Sequence, residues 1–245
     1  MKKILNRIKW IDVRILCVCA IAILLYSFSN KRNDNRSIDD VDVVFKGEDR
    51  HFVTPMEVRN LVKKNFPNTS VINRTILDLN NLENALLKNE LVRDADVYVT
   101  VDGKLKVDVW QKTAIGRVIT DNESYYLDDN GKKMPLSSNY TERVPLVTGV
   151  ITKANEGELM KMLKVLNNDE FLKKDITGVT IKGDETIMLF SRTNKYDILF
   201  GTFDEMERKL ANYKAFVQYG FKEKVDFDNY KTINLKFTQQ VVCTK

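Results

Sequence analysis

ADVYVTVDGKLKVDV, residues 95–109, alternates apolar and polar side chains on both sides of Asp102-Gly103. Val97, Val99 and Val101 share one face before the pair, and Leu105, Val107 and Val109 share one face after it. A period of two is the mark of a half-buried β-strand, so the stretch reads as a hairpin. Asp-Gly by itself favours a two-residue turn. That register would pair Val99 with Lys106 and Val97 with Asp108, mixing apolar and charged groups on one face. A three-residue loop, with Gly103 or Lys104 left-handed, pairs Val101 with Leu105, Val99 with Val107 and Val97 with Val109. The apolar pattern predicts this second register.

Upstream, Leu79, Leu82, Leu86 and Leu87 give the buried face of a helix that starts at Asn80 or Asn81. Before it, Thr54-Pro55-Met56-Glu57 has the form of a helix start. Thr54 suits the N-cap, Pro55 the first helical position, and Glu57 the reciprocal place in a capping box. Val58, Leu61, Val62 and Phe66 form its apolar stripe, Pro67 stops it, and Met56 and Phe66 are expected in the core. Earlier still, Val41, Val43 and Phe45 alternate with Asp42, Val44 and Lys46 up to Gly47, as a first strand does. The order is strand, helix, helix, strand, strand.

At the N-terminal end, residues 15–29 read ILCVCAIAILLYSFS without a charge, preceded by Lys2, Lys3, Arg7, Lys9 and Arg14 against the single acid Asp12. An apolar run of this kind, extended by Ile11 and Val13, approaches the span of a bilayer core. Arg14 can snorkel toward the headgroups. The basic flank places the N-terminus in the cytoplasm. The alternative is a cleaved leader ending near Ser27-Phe28-Ser29. The run is long for a leader's apolar region, and neither Gly nor Pro precedes that site, so a retained anchor is expected. Residues 30–40 are polar without an apolar period and read as a linker.

The chain has 245 residues and a net charge of +5. Residues 1–14 account for +4 of it, so the basic balance belongs to the topogenic head and not to a nucleic-acid surface. Of the three cysteines, Cys17 and Cys19 lie in the apolar run and Cys243 stands alone near the end, which gives no disulfide framework.

Downstream, residues 125–135 (YYLDDNGKKMP) read as a strand, an Asn-Gly turn and a returning strand. Residues 144–149 form a short strand that Pro145 assigns to an edge. Residues 158–167 are helical, with Leu159, Met162, Leu163 and Leu166 on one face. Residues 176–181, 186–190 and 196–200 are strands. Thr202 is expected to cap the last helix, with Glu205 as its box partner. Met206, Leu210, Tyr213 and Val217 form that helix's seam, and Gly220 ends it. A closing strand is expected over residues 232–242, where Ile233, Leu235 and Phe237 alternate with polar residues.

Leu79, Leu82-Glu83 and Leu86, then residues 92–97 (VRDADV), residues 103–109 (GKLKVDV) and the YYLDxxG pattern at residues 125–131 occur in an order that resembles the FtsQ/DivIB family of bacterial cell-division proteins. Leu91 and Thr113 stand where that family often has proline. The resemblance implies an α+β fold. It would comprise a cytoplasmic head (1–10), a single N-terminal transmembrane helix (11–29), a linker (30–40), a βααββ POTRA domain (41–112) and a mixed α/β domain with a mainly antiparallel sheet (113–245). It also implies a single-pass protein of the inner membrane at the division septum. There it would act as a non-catalytic scaffold that binds the bitopic proteins FtsB and FtsL and helps recruit septal peptidoglycan synthesis. The alternative use of a POTRA unit is envelope assembly or secretion.

The residues themselves show no catalytic constellation. His51 is the one histidine and has no evident companion; Asp128-Asp129-Asn130 lacks the ladder of a calcium loop. No enzyme activity, cofactor or metal is expected. The closing strand carries one charge, Lys236, and no proline, which is weak protection for an edge. The strand is either internal to its sheet or open to a partner strand. The resemblance favours the second, with Thr232, Ile233, Asn234, Leu235, Lys236, Phe237, Thr238 and Gln239 at the partner-binding edge. Arg208 and Lys209 on the last helix would then meet acidic partner groups.

Overall fold

The computed structural model describes residues 10–34, 37–38, 41–47, 50–65, 72–73, 78–100 and 104–245. The chain divides into two units, Met1–Asp49 with Thr54–Trp110, and Arg50–Val53 with Gln111–Lys245.

The first unit opens with helix α1 (Trp10–Asp34), which continues through the first five residues of the expected linker. Ile15, Leu16, Ile23 and Leu24 lie exposed on different sides of it. Among the described residues no helix is long and apolar enough to cross a membrane. A two-residue strand β1 (Ser37–Ile38) and strand β2 (Val41–Lys46) follow, and Gly47 leaves β2 at φ +90, as the expected strand end requires.

Helix α2 (Pro55–Asn65) begins as its capping residues dictate. Glu57 N–H donates to Thr54 Oγ1 at 3.2 Å, and Thr54 N–H donates to Glu57 Oε2 at 2.8 Å. Val58 and Val62 are buried, but Met56 is 63% exposed and is no core residue; it lies on the first turn, away from the Val58–Val62 stripe. Phe66 lies outside the described residues. Strand β3 (Ile72–Asn73) pairs with β1, and helix α3 (Leu79–Leu87) follows. Asp78 caps α3 by accepting the Asn81 N–H at 3.1 Å, so the helix begins at Leu79, next to the expected Asn80 or Asn81. Leu82 and Leu86 are buried, while Leu87 is exposed.

Strands β4 (Val92–Val99) and β5 (Leu105–Gln111) complete a three-stranded sheet in the order β2-β5-β4, with β2 and β5 parallel. Thr100 N–H donates to the Lys104 carbonyl at 2.9 Å. This bond joins Thr100 to Lys104, so the register is shifted from the expected one, and the expected Val101–Leu105 pair falls outside the described residues. The face assignment is unaffected by this shift: Val97, Leu105, Val107 and Val109 are all buried.

The second unit is built on a nine-stranded mixed sheet. Its strands are β6 (Ala114–Ile119), β7 (Ser124–Asp128), β8 (Lys133–Met134), β9 (Leu146–Gly149), β10 (Ile176–Ile181), β11 (Ile187–Ser191), β12 (Asp197–Gly201), β13 (Thr232–Asn234) and β14 (Val242–Thr244), in the order β14-β13-β12-β11-β10-β9-β6-β7-β8. The β7–β8 turn forms as expected. Asp128 Oδ1 accepts the N–H groups of Asn130 and Lys132, and Gly131 takes φ +80. Strand β9 is central, contrary to expectation, with β6 and β10 parallel on its two sides. Pro145 sits just before it and contributes only its carbonyl, which accepts Arg117 N–H at 2.9 Å, so the missing N–H costs no ladder bond.

Helices α4 (Glu156–Asn168), α5 (Glu170–Asp175) and α6 (Met206–Lys222) pack on the sheet through Leu159, Met162, Leu163, Leu166, Leu172, Met206, Leu210, Tyr213 and Val217, all buried. Opposite them in the core lie Val147, Val179, Leu189, Ile198, Phe200 and Ile233. The expected Thr202–Glu205 capping box does not form. Thr202 Oγ1 donates to Asp204 Oδ2, and Glu205 takes a left-handed φ of +51 immediately before the helix. Gly220 does not end α6; it lies within the last turn, where the Phe227 ring occupies the space a Cβ would fill.

Candidate functional site

The sheet of the second unit has two ends. Strand β8 is two residues long, with an exposed lysine, Lys133, whose ammonium lies over the Tyr125 ring and donates to Glu123 Oε1 at 2.7 Å. A short strand with a charged side chain is a blunted edge. The opposite end is β14, which pairs antiparallel with β13 through Thr232–Thr244, Ile233–Cys243 and Asn234–Val242 and has no further strand beside it among the described residues.

The expected closing strand is therefore corrected. Residues 232–242 are not one strand with an open side. Thr232–Asn234 is held on both flanks, by parallel β12 and by antiparallel β14. Leu235 N–H donates to the Leu199 carbonyl at 2.8 Å, and Lys236 N–H turns back to Asn234 Oδ1. The chain then turns through residues 236–240 and returns as β14. Ile233 and Leu235 are fully buried, so neither they nor the flanked backbone of Thr232 and Asn234 faces a partner. Lys236, Phe237 and Gln239 are exposed and Thr238 half-buried, all on the turn. Phe237 is 53% exposed, which is high for an aromatic ring.

Helix α6 lies against that turn. Asn212 Nδ2 donates to the Thr238 carbonyl at 2.8 Å. Arg208, Asn212 and Tyr219 recur at helical spacing on one stripe of α6, and Arg208 and Tyr219 are exposed. Lys209 is corrected as a partner contact. It is 3% exposed, its ammonium donates to the Thr202 carbonyl at 2.9 Å and lies over the Phe200 ring, and burial pulls its pKa down. The side of α6 that carries Lys209 belongs to the protein's interior.

Behind this surface is a buried polar cluster that the apolar pattern did not reveal. Asp175 accepts from Tyr213 at 2.6 Å, Ser191 at 2.7 Å and Thr193 at 3.1 Å. Tyr196 and Tyr213 hydroxyls lie 3.3 Å apart. Burial pushes Tyr196 up to about 12; burial and the Asp175 carboxylate push Tyr213 further in the same direction. Both carboxylate oxygens of Asp175 accept from these donors, so the cluster ties α6 to the sheet.

His51 sits against Tyr140, ring centroids 6.0 Å apart, and Cys243 is half-buried in β14 with its thiol pushed up by burial. Among the described residues no group of three His, Cys, Asp or Glu side chains could hold a metal ion. Two features that matter here were missed in the sequence: strand β14 and helix α5. Three consecutive polar residues, Thr238-Gln239-Gln240, interrupt the alternation and were the available turn signal for β14. Asp169 was the signal for α5. Its carboxylate accepts the Phe171 and Leu172 N–H groups as an N-cap does.

The description "FtsQ/DivIB, C-terminal related" matches residues 113–244, and the description "POTRA-like domain" matches residues 38–110. A curated relative, the cell division protein DivIB of Clostridium tetani (strain Massachusetts / E88), is 25% identical over 174 residues, covering 66% of this chain and 64% of that protein. The chain thus spans less than two thirds of that relative. The solved major extracytoplasmic domain of the trans isomer of the bacterial cell division protein DivIB from Geobacillus stearothermophilus is 16% identical, with a TM-score of 0.35, over 47% of this chain and 98% of that one. With a POTRA-like unit followed by a C-terminal match longer than half its length, the chain belongs to the FtsQ/DivIB family.

Proposed function

We propose that this protein is a non-catalytic docking module of the bacterial division machinery. On this reading its C-terminal unit receives an extended segment of a bitopic division protein of the FtsB/FtsL type, and so helps recruit septal peptidoglycan synthesis. Family membership is the observation that carries the division role. The β14 end of the large sheet supports the docking mode, because an uncovered strand leaves main-chain donors and acceptors for a partner strand. Beside it, Phe237 on the turn and Arg208 on α6 supply an aromatic anchor and a cation for acidic partner groups.

Helix α1 is proposed as a membrane anchor with its N-terminus in the cytoplasm and the chain that follows it outside. Exposed apolar side chains on different sides of one helix fit a lipid environment. Trp10 and Arg14, one turn apart with the guanidinium 5.6 Å from the ring centroid, fit a headgroup belt.

Depletion in growing cells tests the role. A division scaffold predicts long filaments without septa. Cells that still divide but mis-assemble envelope proteins would instead support the POTRA unit as an assembly factor.

A further inference from the structure

Among the described residues the small sheet of the first unit ends at β2 on one side and at β4 on the other, and two main-chain N–H groups of β4 are held by side chains. In an antiparallel strand the N–H and C=O of one residue point to one neighbour and those of the next residue to the other side. Thr100 N–H points inward, to the Lys104 carbonyl at the start of β5. By parity, Ala95 and Val97 present their N–H groups outward. Both are taken: Val97 N–H donates to Glu83 Oε1 at 2.9 Å, and Ala95 N–H donates to Asp94 Oδ1 at 2.9 Å.

Glu83 reaches this edge from α3, whose Leu82 and Leu86 are anchored in the core, so its carboxylate is delivered by a fixed element. A carboxylate accepts and cannot donate. It therefore fills an outward N–H without offering an incoming strand the alternating donors and acceptors of a ladder. Asp94 and Asp96 lie exposed on the strand itself and add like charge against any second copy of the same edge.

We propose that Glu83 and Asp94 form an edge lock, which keeps β4 from pairing with β4 of a second copy of this chain. The lock withdraws two outward main-chain donors of β4 from any incoming strand. Residues 92–99 (VRDADVYV) bury one face through Ala95 and Val97, and without the lock this edge offers a β-rich template for self-association.

The test uses the full chain in detergent micelles, with hydrogen exchange read at the Ala95 and Val97 amides and mass read by sedimentation over a concentration series. Glu83→Ala with Asp94→Ala removes both acceptors. At dilution, exchange at the two amides should rise by about tenfold or more, as freed edge amides do. The mass should climb with concentration relative to the parent chain. Glu83→Gln with Asp94→Asn keeps an accepting oxygen at each position, so exchange at the two amides should stay near the parent's. Adding Ala95→Pro to the alanine pair removes an outward N–H and should return the mass to the parent's value, which separates edge pairing from misfolding. Unchanged amide exchange in the alanine pair overturns the proposal. So does a mass that does not climb, or one that climbs and is not reversed by Ala95→Pro.

Discussion

The Tyr213 hydroxyl donates to Asp175 Oδ2 at 2.6 Å, tying the middle of α6 to the last residue of α5 inside the second unit. Through Ser191 and Thr193 the same carboxylate holds β11 and the turn after it, and through Tyr213 it is linked to Tyr196 before β12. One buried charge thus sets where α6 lies on the sheet, and with it where the Arg208–Asn212 stripe meets the turn that leads to β14.

Tyr213→Phe should remove one donor from a buried carboxylate and keep the ring's packing. A lost hydrogen bond to a charged group costs about 1.5–3 kcal/mol. Urea unfolding of the variant should show a lower midpoint with an unchanged slope. A midpoint equal to the parent's would show that the bond contributes nothing net.

The same cluster predicts alkaline sensitivity. Tyr196 has a folded pKa pushed up to about 12 from the ordinary 10.0, chiefly by burial, and Tyr213 is raised as well. A raised pKa means that the unfolded chain loses the proton first. The contribution to stability is complete below pH 10 and disappears as pH rises through the folded value. Phenolate absorbance lost in a Tyr196→Phe, Tyr213→Phe double variant should therefore be signal that the parent develops only above pH 10, as the unit unfolds. Ionisation of these two tyrosines at the ordinary value would contradict the burial.

Asp169 should act in the opposite direction on the acid side. The Lys214 ammonium 2.6 Å away, with the Leu172 and Phe171 N–H groups, holds its carboxyl below the usual range. A lowered pKa gives stability that is present above the ordinary aspartate value and is lost as pH falls through the folded one. Asp169→Ala should cost about 1 kcal/mol at neutral pH, the usual worth of an N-cap. The difference from the parent should shrink below about pH 4. A pH-independent difference would assign the effect to packing.

What the sequence revealed depended on which physical signal was local. The Thr54–Glu57 box, the Asp128–Gly131 turn and the buried faces of α4 and α6 follow from side chains a few residues apart, and the structure has them as expected. The candidate edge was a different kind of question. Ile233, Leu235 and Phe237 alternate as a strand should, but alternation reports which face is buried and not whether both sides are paired. Only the long-range return of β14 shows that Thr232–Asn234 is flanked. Lys209 misled for a related reason: a lysine beside an exposed arginine reads as surface, yet its stem follows the apolar side of α6 and its ammonium finds a carbonyl. The Asp175 cluster draws residues from α5, β11, the turn after it and α6, and had no local pattern to find.

The central claim, that a partner protein docks at the β14 end of the second unit, is tested most directly by site-specific photo-crosslinking in growing cells. A crosslinking residue would be placed in turn at Phe237, Thr244, Lys133 and Gln239. Phe237 and Thr244 should capture a bitopic division protein, Gln239 should do so more weakly, and Lys133 at the blunted β8 end should capture none. Capture at Lys133 with none at Phe237 and Thr244 would contradict the account.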